Sequence, residues 1–184
     1  MSYEMEYRKK FDELESSLYD ITRLSLNANG GKTIIFSFLP KYENKYIEEV
    51  KKIYKDKAIF IDLSKIFVDY IDTIGIDNFK GLYKDFIKTS HIIFRDENDT
   101  SNKDFFNMII EEIKNADNLG KLPILLRTGV LYGTGIENQN ILEHDIVMKL
   151  KQALILFYPS KIENNDLLFL NFKTASRYRA LLIN

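Results

Sequence analysis

A chain of 184 residues fits a single domain, since domains usually run about 100–200 residues. Its 13 Phe and 11 Tyr exclude disorder over the whole chain, because disordered chains are poor in aromatic side chains. The 26 Lys and Arg nearly balance the 27 Asp and Glu, so no global field draws the chain to nucleic acid or an anionic membrane. With no Cys, disulfide frameworks and cysteine-ligated zinc or iron–sulfur sites are excluded, which fits the cytoplasm.

The N-terminus, MSYEMEYRKKFDELE, is charged throughout and lacks the apolar core of a secretory signal. No stretch reaches the roughly 18 uninterrupted apolar residues of a spanning helix. Residues 3–25 are expected to form one long helix, since Tyr7, Phe11, Leu14, Leu18 and Ile21 recur at spacings of four and three. That stripe is expected to pack on the domain's own sheet, with Lys9, Lys10, Asp12, Glu13 and Glu15 off it. Asn27 to Gly31 breaks the helix.

Thr33 to Leu39 is a β-branched and aromatic run that reads as a buried strand ending at Pro40. A helix over 43–54 and a strand from Ala58 to Leu63 follow. The segment 64–115 is expected to be mostly helical. Ile66, Phe67, Tyr70 and Ile71 make one apolar face, and Phe79, Leu82, Tyr83, Phe86 and Ile87 another. Arg95 to Asn102 is polar and reads as a surface loop before a helix carrying Phe105, Phe106, Ile109, Ile110 and Ile113. Further strands are expected at Pro123 to Leu126, at Ala153 to Tyr158 (closed by Pro159), at Leu167 to Asn171 and at Tyr178 to Ile183. Ile141, Leu142, Ile146, Val147 and Leu150 form a helical stripe between the third and fourth.

Short apolar strands alternating with helices argue for one α/β domain with a mainly parallel sheet flanked by helices. The expectation is a Rossmann-like or P-loop-like core without a P-loop. The N-terminal helix spans 1–26 and the sheet core 33–184. The closeness of the last two strands leaves room for an antiparallel C-terminal edge.

Gly30-Gly31-Lys32-Thr33 contains the Gly-Lys-Thr of a phosphate-binding loop, but Leu26 stands where that loop needs its first glycine. A helix precedes it and a strand follows, the reverse of the order that aims backbone N–H groups at phosphate. Gly133-Thr134-Gly135 reads as a turn into the next helix. His91 is placed at a helix end and His144 on the solvent side of a helical stripe, with no metal-binding spacing between them. Glu111-Glu112 and Asp96-Glu97 read as solvated faces, and no serine sits in a nucleophile elbow. Two clusters stand out. Arg127-Thr128-Gly129 ends a strand, where ligands of open α/β sheets gather, and Arg177-Tyr178-Arg179 places alternating Arg and Tyr on the last strand.

The ordered set of segments PILLRTGVLYGTGIENQNILEHD, ALILFYPSKIENNDLLFLNF and SRYRALLI resembles the family of the BREX phage-defence protein BrxB. Gly129-Val130, Phe157-Tyr158-Pro159 and Tyr178-Arg179-Ala180 match that family's pattern, and the FSFLP and IFIDL strands fit it too. Two places depart. Ser160 follows Pro159 where the family often has Gly, and Gly133 follows Tyr132 where the family usually has Pro. The resemblance implies a small component of a bacterial system that blocks phage replication. That system also contains a large methyltransferase, an AAA-type ATPase and PglZ, a protein of the alkaline-phosphatase superfamily. It implies a non-enzymatic adaptor with PglZ as direct partner and no cofactor. The rival reading is a nucleic-acid-binding module of the same complex, and a cryptic hydrolase ranks third. No catalytic, cofactor or metal residue is nominated. The candidate partner-binding residues are Arg127, Thr128, Tyr158, Arg177, Tyr178 and Arg179.

Overall fold

The computed structural model describes residues 3–89, 91–95 and 103–184. Its strands are β1 (Thr33–Phe38), β2 (Ala58–Asp62), β3 (Leu122–Leu126), β4 (Leu154–Glu163), β5 (Asp166–Phe169), β6 (Lys173–Ala175) and β7 (Ala180–Ile183). Five of them form a parallel sheet in the order β2-β3-β4-β1-β7. Both faces are covered by helices, which is why β1 is buried at all six positions instead of alternating. The helices are α1 (Tyr3–Tyr19), α2 (Ile21–Asn27), α3 (Glu43–Ile53), α4 (Leu63–Ile74), α5 (Ile76–Asp85), α6 (His91–Phe94), α7 (Phe105–Asn118), α8 (Asn138–Leu142) and α9 (Asp145–Met148).

Alternate strand residues feed two cores, as the two-residue period of a strand requires. Ile34, Phe36, Phe38, Ile155 and Phe157 face α1, α2 and α3, and meet Phe11, Leu14, Leu24, Tyr46 and Val50. Ile35, Leu125, Leu154 and Leu156 face α4 and α6 to α9, and meet Phe105, Ile109, Ile113, Ile141 and Val147. The first core is rich in rings: Phe36 stacks on Phe157 with centroids 4.7 Å apart, and Phe11 lies 5.1 Å from Phe36.

The expected helix over 3–25 is two helices. Asp20 has left helical geometry and its side chain accepts from the Arg23 N–H at 2.9 Å, so it caps a new helix. The stripe packs on the sheet as its spacing predicts, but Lys10 goes in with it. Lys10 is buried and pairs with Glu6 at 3.1 Å, one turn back on α1. The spacing carried that signal, since Lys10 lies three residues after Tyr7 and four before Leu14.

The strand expected to stop at Pro159 runs on to Glu163. Pro159 sits at a changeover, where the ladder to β1 ends at Phe38 and the antiparallel ladder to β5 begins at Ser160. Its missing N–H therefore breaks no established run of ladder bonds. The antiparallel part of the sheet is this arm of β4, β5 and β6, and β7 returns to pair parallel with β1. Of the last two strands, for which an antiparallel edge was left open, β5 is thus antiparallel and β7 parallel. The stripe from Ile141 to Leu150 is broken into α8 and α9, because His144 leaves helical geometry and caps the second piece. His91 begins α6 instead of ending a helix. The expected loop after Arg95, with Asp96-Glu97, lies outside the described residues, while Glu111 and Glu112 are solvated on α7 as expected.

Candidate functional site

The six candidate residues separate to opposite ends of the sheet. Arg127 and Thr128 follow β3 and Tyr158 lies on β4, at the carboxyl ends of the parallel strands. Arg177, Tyr178 and Arg179 precede β7, at the amino ends.

At the carboxyl ends, Arg127 adopts a left-handed backbone (φ 55°) that turns the chain out of β3. Its Nε lies 3.4 Å from the Asp62 Oδ2, and its Nη2 is 3.4 Å from the Asn44 Oδ1. The other Asp62 oxygen, Oδ1, accepts from the Ser64 N–H at 3.0 Å and so caps α4. Glu43 opens α3 beside this pair, and its Oε1 is buried without a hydrogen-bond partner. Burial pushes the Glu43 carboxyl above its ordinary value; Arg127 opposes this and Asp62 adds to it. The Arg127 guanidinium thus has the Asp62 carboxylate as its ion-pair partner, with the Glu43 carboxyl close enough to feel its charge.

Thr128 and Tyr158 are interior residues. The Thr128 Oγ1 donates to the Phe157 carbonyl at 2.7 Å, tying the turn to β4. Tyr158 is 2% exposed and stacks on Phe169 at 4.6 Å, and burial, with Glu137, drives its hydroxyl pKa upward. An aromatic in an apolar strand next to a hydrophobic hairpin packs before it binds, which leaves Arg127 as the exposed member of the group.

The crevice between the ends of β1 and β4 is where the chain switches faces, with α3 leaving over one face and the β5 arm covering the other. The protein fills it with its own groups. The Ser160 Oγ donates to the Ser37 Oγ at 2.9 Å, and the Lys10 Nζ donates to the Ser37 carbonyl at 3.2 Å. A phosphate there would have to displace a satisfied network held by a buried lysine.

At the amino ends, Arg177-Tyr178-Arg179 is a turn and not part of the strand. Arg179 takes a left-handed backbone (φ 60°), which ends the extended run expected from Tyr178 onward. The turn packs against Gly30-Gly31, so two motifs far apart in sequence meet. A Cβ on Gly31 would lie 2.3 Å from the Arg179 carbonyl oxygen, and the place of a Gly30 Cβ is 3.6 Å from the Arg179 Nη2. Gly31 therefore serves close backbone approach, and Gly30 supplies a left-handed backbone (φ 83°). The Lys32 Nζ donates to the Leu150 carbonyl at 2.9 Å. Helix α2 precedes this loop and β1 follows, as the sequence order requires.

Gly133-Thr134-Gly135 makes the expected turn. Both glycines have positive φ, and the Thr134 Oγ1 donates to the Leu131 carbonyl at 2.8 Å. Among the described residues no group of three or more His, Asp or Glu could hold a metal ion.

His144 is half-buried against the Phe106 ring, and its Nδ1 accepts from the Ile146 N–H at 3.3 Å, capping α9. Burial lowers its pKa below the ordinary 6.5, Asp145 opposes and Arg95 reinforces the shift. The cap needs an unprotonated Nδ1. The unfolded chain then binds the proton more readily than the native one, so this contribution to stability is present above pH 6.5 and is lost as pH falls through the native pKa. Denaturant midpoints at neutral pH and at about pH 5 should fall further for the wild type than for His144→Asn, which keeps a capping acceptor without the titration. Glu43 is common to both proteins and acts with the opposite sign, so the difference isolates His144. Equal slopes would show that the cap is not linked to protonation.

The second apolar face read from the sequence forms a surface that runs from α5 to α6. Helix α5 buries none of its residues. From Ile76 to Ile92, six large apolar side chains (Ile76, Leu82, Tyr83, Phe86, Ile87 and Ile92) are 38–63% exposed. Leu82, Phe86, Ile92 and Ile93 line an open groove of about 390 Å³ with Tyr70 and Ile74 of α4. Amphipathic spacing marks Phe79, Leu82, Tyr83, Phe86 and Ile87 as a face that seeks a partner, but not whether the partner is the same chain. No described helix is long and apolar enough to cross a membrane. No family model, curated protein or solved structure matches this chain.

Proposed function

We propose that this chain is a non-enzymatic, protein-binding component of a bacterial BREX-type phage-defence assembly, acting in the cytoplasm with PglZ as direct partner. The sequence resemblance supports the assembly and the partner. The observation that supports protein binding is the apolar face of α5 and the groove beside it. Contiguous exposed apolar surface marks protein interaction sites on soluble proteins, which favours a protein partner for this face.

The test is a pull-down with the tagged full-length chain from cells carrying the whole defence operon. Wild type should recover PglZ. Leu82→Asp combined with Phe86→Asp should weaken recovery about 30-fold or more, because truncating an anchor costs about 2–4 kcal/mol. The fold should survive, since Leu82 and Phe86 are both exposed and surface changes usually stay within about 0.5 kcal/mol. Recovery of no defence protein by wild type would sink the assignment. Undiminished recovery by the folded double variant would move the interface off α5.

A further inference from the structure

We propose that the turn of Arg177, Tyr178 and Arg179, with Lys32 and Lys149, is a docking site for a carboxylate-rich segment of a partner protein. The Gly30-Gly31 loop sets Arg179 beside the chain that leads into Lys32. Because Gly31 carries no Cβ, the Arg179 carbonyl can lie against it, and the Arg179 Nη2 lies beside Gly30, 3.6 Å from the place of its Cβ. Lys32 follows the loop and is held by its bond to the Leu150 carbonyl. Lys149 follows Met148, the residue that Arg179 touches, and is exposed.

The Arg179 guanidinium is under-used. It has five N–H donors and no acceptor. Its Nη1 donates to the Met148 thioether sulfur at 3.2 Å, a weak acceptor, and its Nε is buried with no partner. Among the described residues no carboxylate lies within 4.0 Å of a cationic nitrogen of Lys32, Lys149, Arg177 or Arg179, whereas Arg127 at the opposite end of the sheet has Asp62. Arg177 reaches only the Asn165 side-chain oxygen, at 3.4 Å. Asp145, the acidic residue of α9, acts on His144. The patch is a local positive excess on a chain of net charge −1.

Its surroundings fit a protein ligand. Tyr178 is 53% exposed beside the two arginines, and Tyr with Arg is the composition of binding hot spots. Met148 is exposed and flexible enough to give way to an arriving carboxylate, which would take a charge-assisted bond from the fork in place of the thioether. Four cations on one turn and its immediate neighbours are few for nucleic acid, whose affinity grows with the number of phosphates neutralised and which this near-neutral chain does not otherwise attract.

The site stands apart from the α5 face, and its test does too. Fluorescence anisotropy of the full-length chain at low salt would use two labelled probes, a short oligo-glutamate peptide containing one Tyr and an oligothymidylate of similar length. The peptide should bind more tightly than the oligonucleotide. Arg179→Gln and Arg177→Gln should each weaken it about tenfold, the worth of one charge-assisted bond. Arg179→Lys should fall between, since it keeps the charge and loses the fork. The Leu82→Asp and Phe86→Asp double variant should bind the peptide like wild type. If Arg179→Gln fails to fold in a thermal melt, Arg177→Gln and Lys149→Gln decide, because both positions are exposed. No peptide binding, binding unchanged in the folded variants, or tighter binding of the oligonucleotide would each overturn the proposal.

Discussion

Removing residues 1–26 is expected to unfold the domain. Helix α1 is built into the core on one face of the sheet: Leu14 is 0% exposed, and Phe11 and Leu24 are buried with it. Phe11 sits 5.1 Å from Phe36 and 6.1 Å from Tyr46, and Tyr7 sits 5.2 Å from Tyr46. Emptying the site of a large buried side chain costs about 2–5 kcal/mol. Three such losses approach the entire stability of an ordinary domain, about 5–15 kcal/mol. The cut also strips Lys10 from the Ser37 carbonyl and bares Phe36, Phe38 and Phe157 to water. Circular dichroism of the truncated chain should show no cooperative melt. A melt near the full-length temperature would mean that the helix is an accessory, free to dock elsewhere.

Much of this architecture was legible from periodicity. The strands β1 to β4 and the long helices α3, α4 and α7 announce themselves, because apolar runs bounded by Pro, Gly or charge have few ways to be buried. The N-terminal stripe also went where its spacing points. What stayed hidden was decided by single backbone positions or by neighbours remote in sequence. Asp20 and His144 divide expected helices because a capping side chain competes with helix continuation at that residue. Pro159 did not stop β4 because its strand neighbours change at that point. The arm of β5 and β6 was half seen, since a three-residue edge strand such as Lys173–Ala175 carries no periodic signal.

The candidate site was legible in part. Arg127 and the Arg177 to Arg179 cluster stand out in the sequence as cations, but their separation to opposite ends of the sheet is a fact of topology that spacing does not carry. Tyr158 and Thr128 show the converse, where a residue beside a functional-looking turn proves to be core. The exposure of the α5 face was not legible, because an apolar stripe looks the same whether its own sheet or another protein covers it. The Gly30-Gly31 pair was set aside as a phosphate loop on element order, and the structure has that order, yet its packing role appears only when the other strand is present.

That role sets the second large effect. Gly31→Ala should destabilise the chain by about 3 kcal/mol, the upper end of the range for overpacking. The added Cβ would lie 2.3 Å from the Arg179 carbonyl oxygen and 3.1 Å from that of Ala28, both backbone atoms that cannot swing away. Relief requires moving the start of β7 from β1, where Thr33 pairs with Ala180 two residues on. Gly30→Ala makes the contrast. Its Cβ meets only the flexible end of Arg179 at 3.6 Å, and the cost is that of a left-handed backbone (φ +83°) in a residue with a side chain, about 1–2 kcal/mol. A phosphate-loop reading gives neither residue a reason to differ in stability without ligand. Denaturant midpoints should rank wild type above Gly30→Ala above Gly31→Ala, with melting lowered by about 6–12 °C in the last for a domain of this size. Equal costs at the two positions would show that β7 does not lean on the loop as described. The anion-docking patch would then lose its scaffold, because it is the approach of Arg179 to Gly31 that sets the guanidinium beside Gly30.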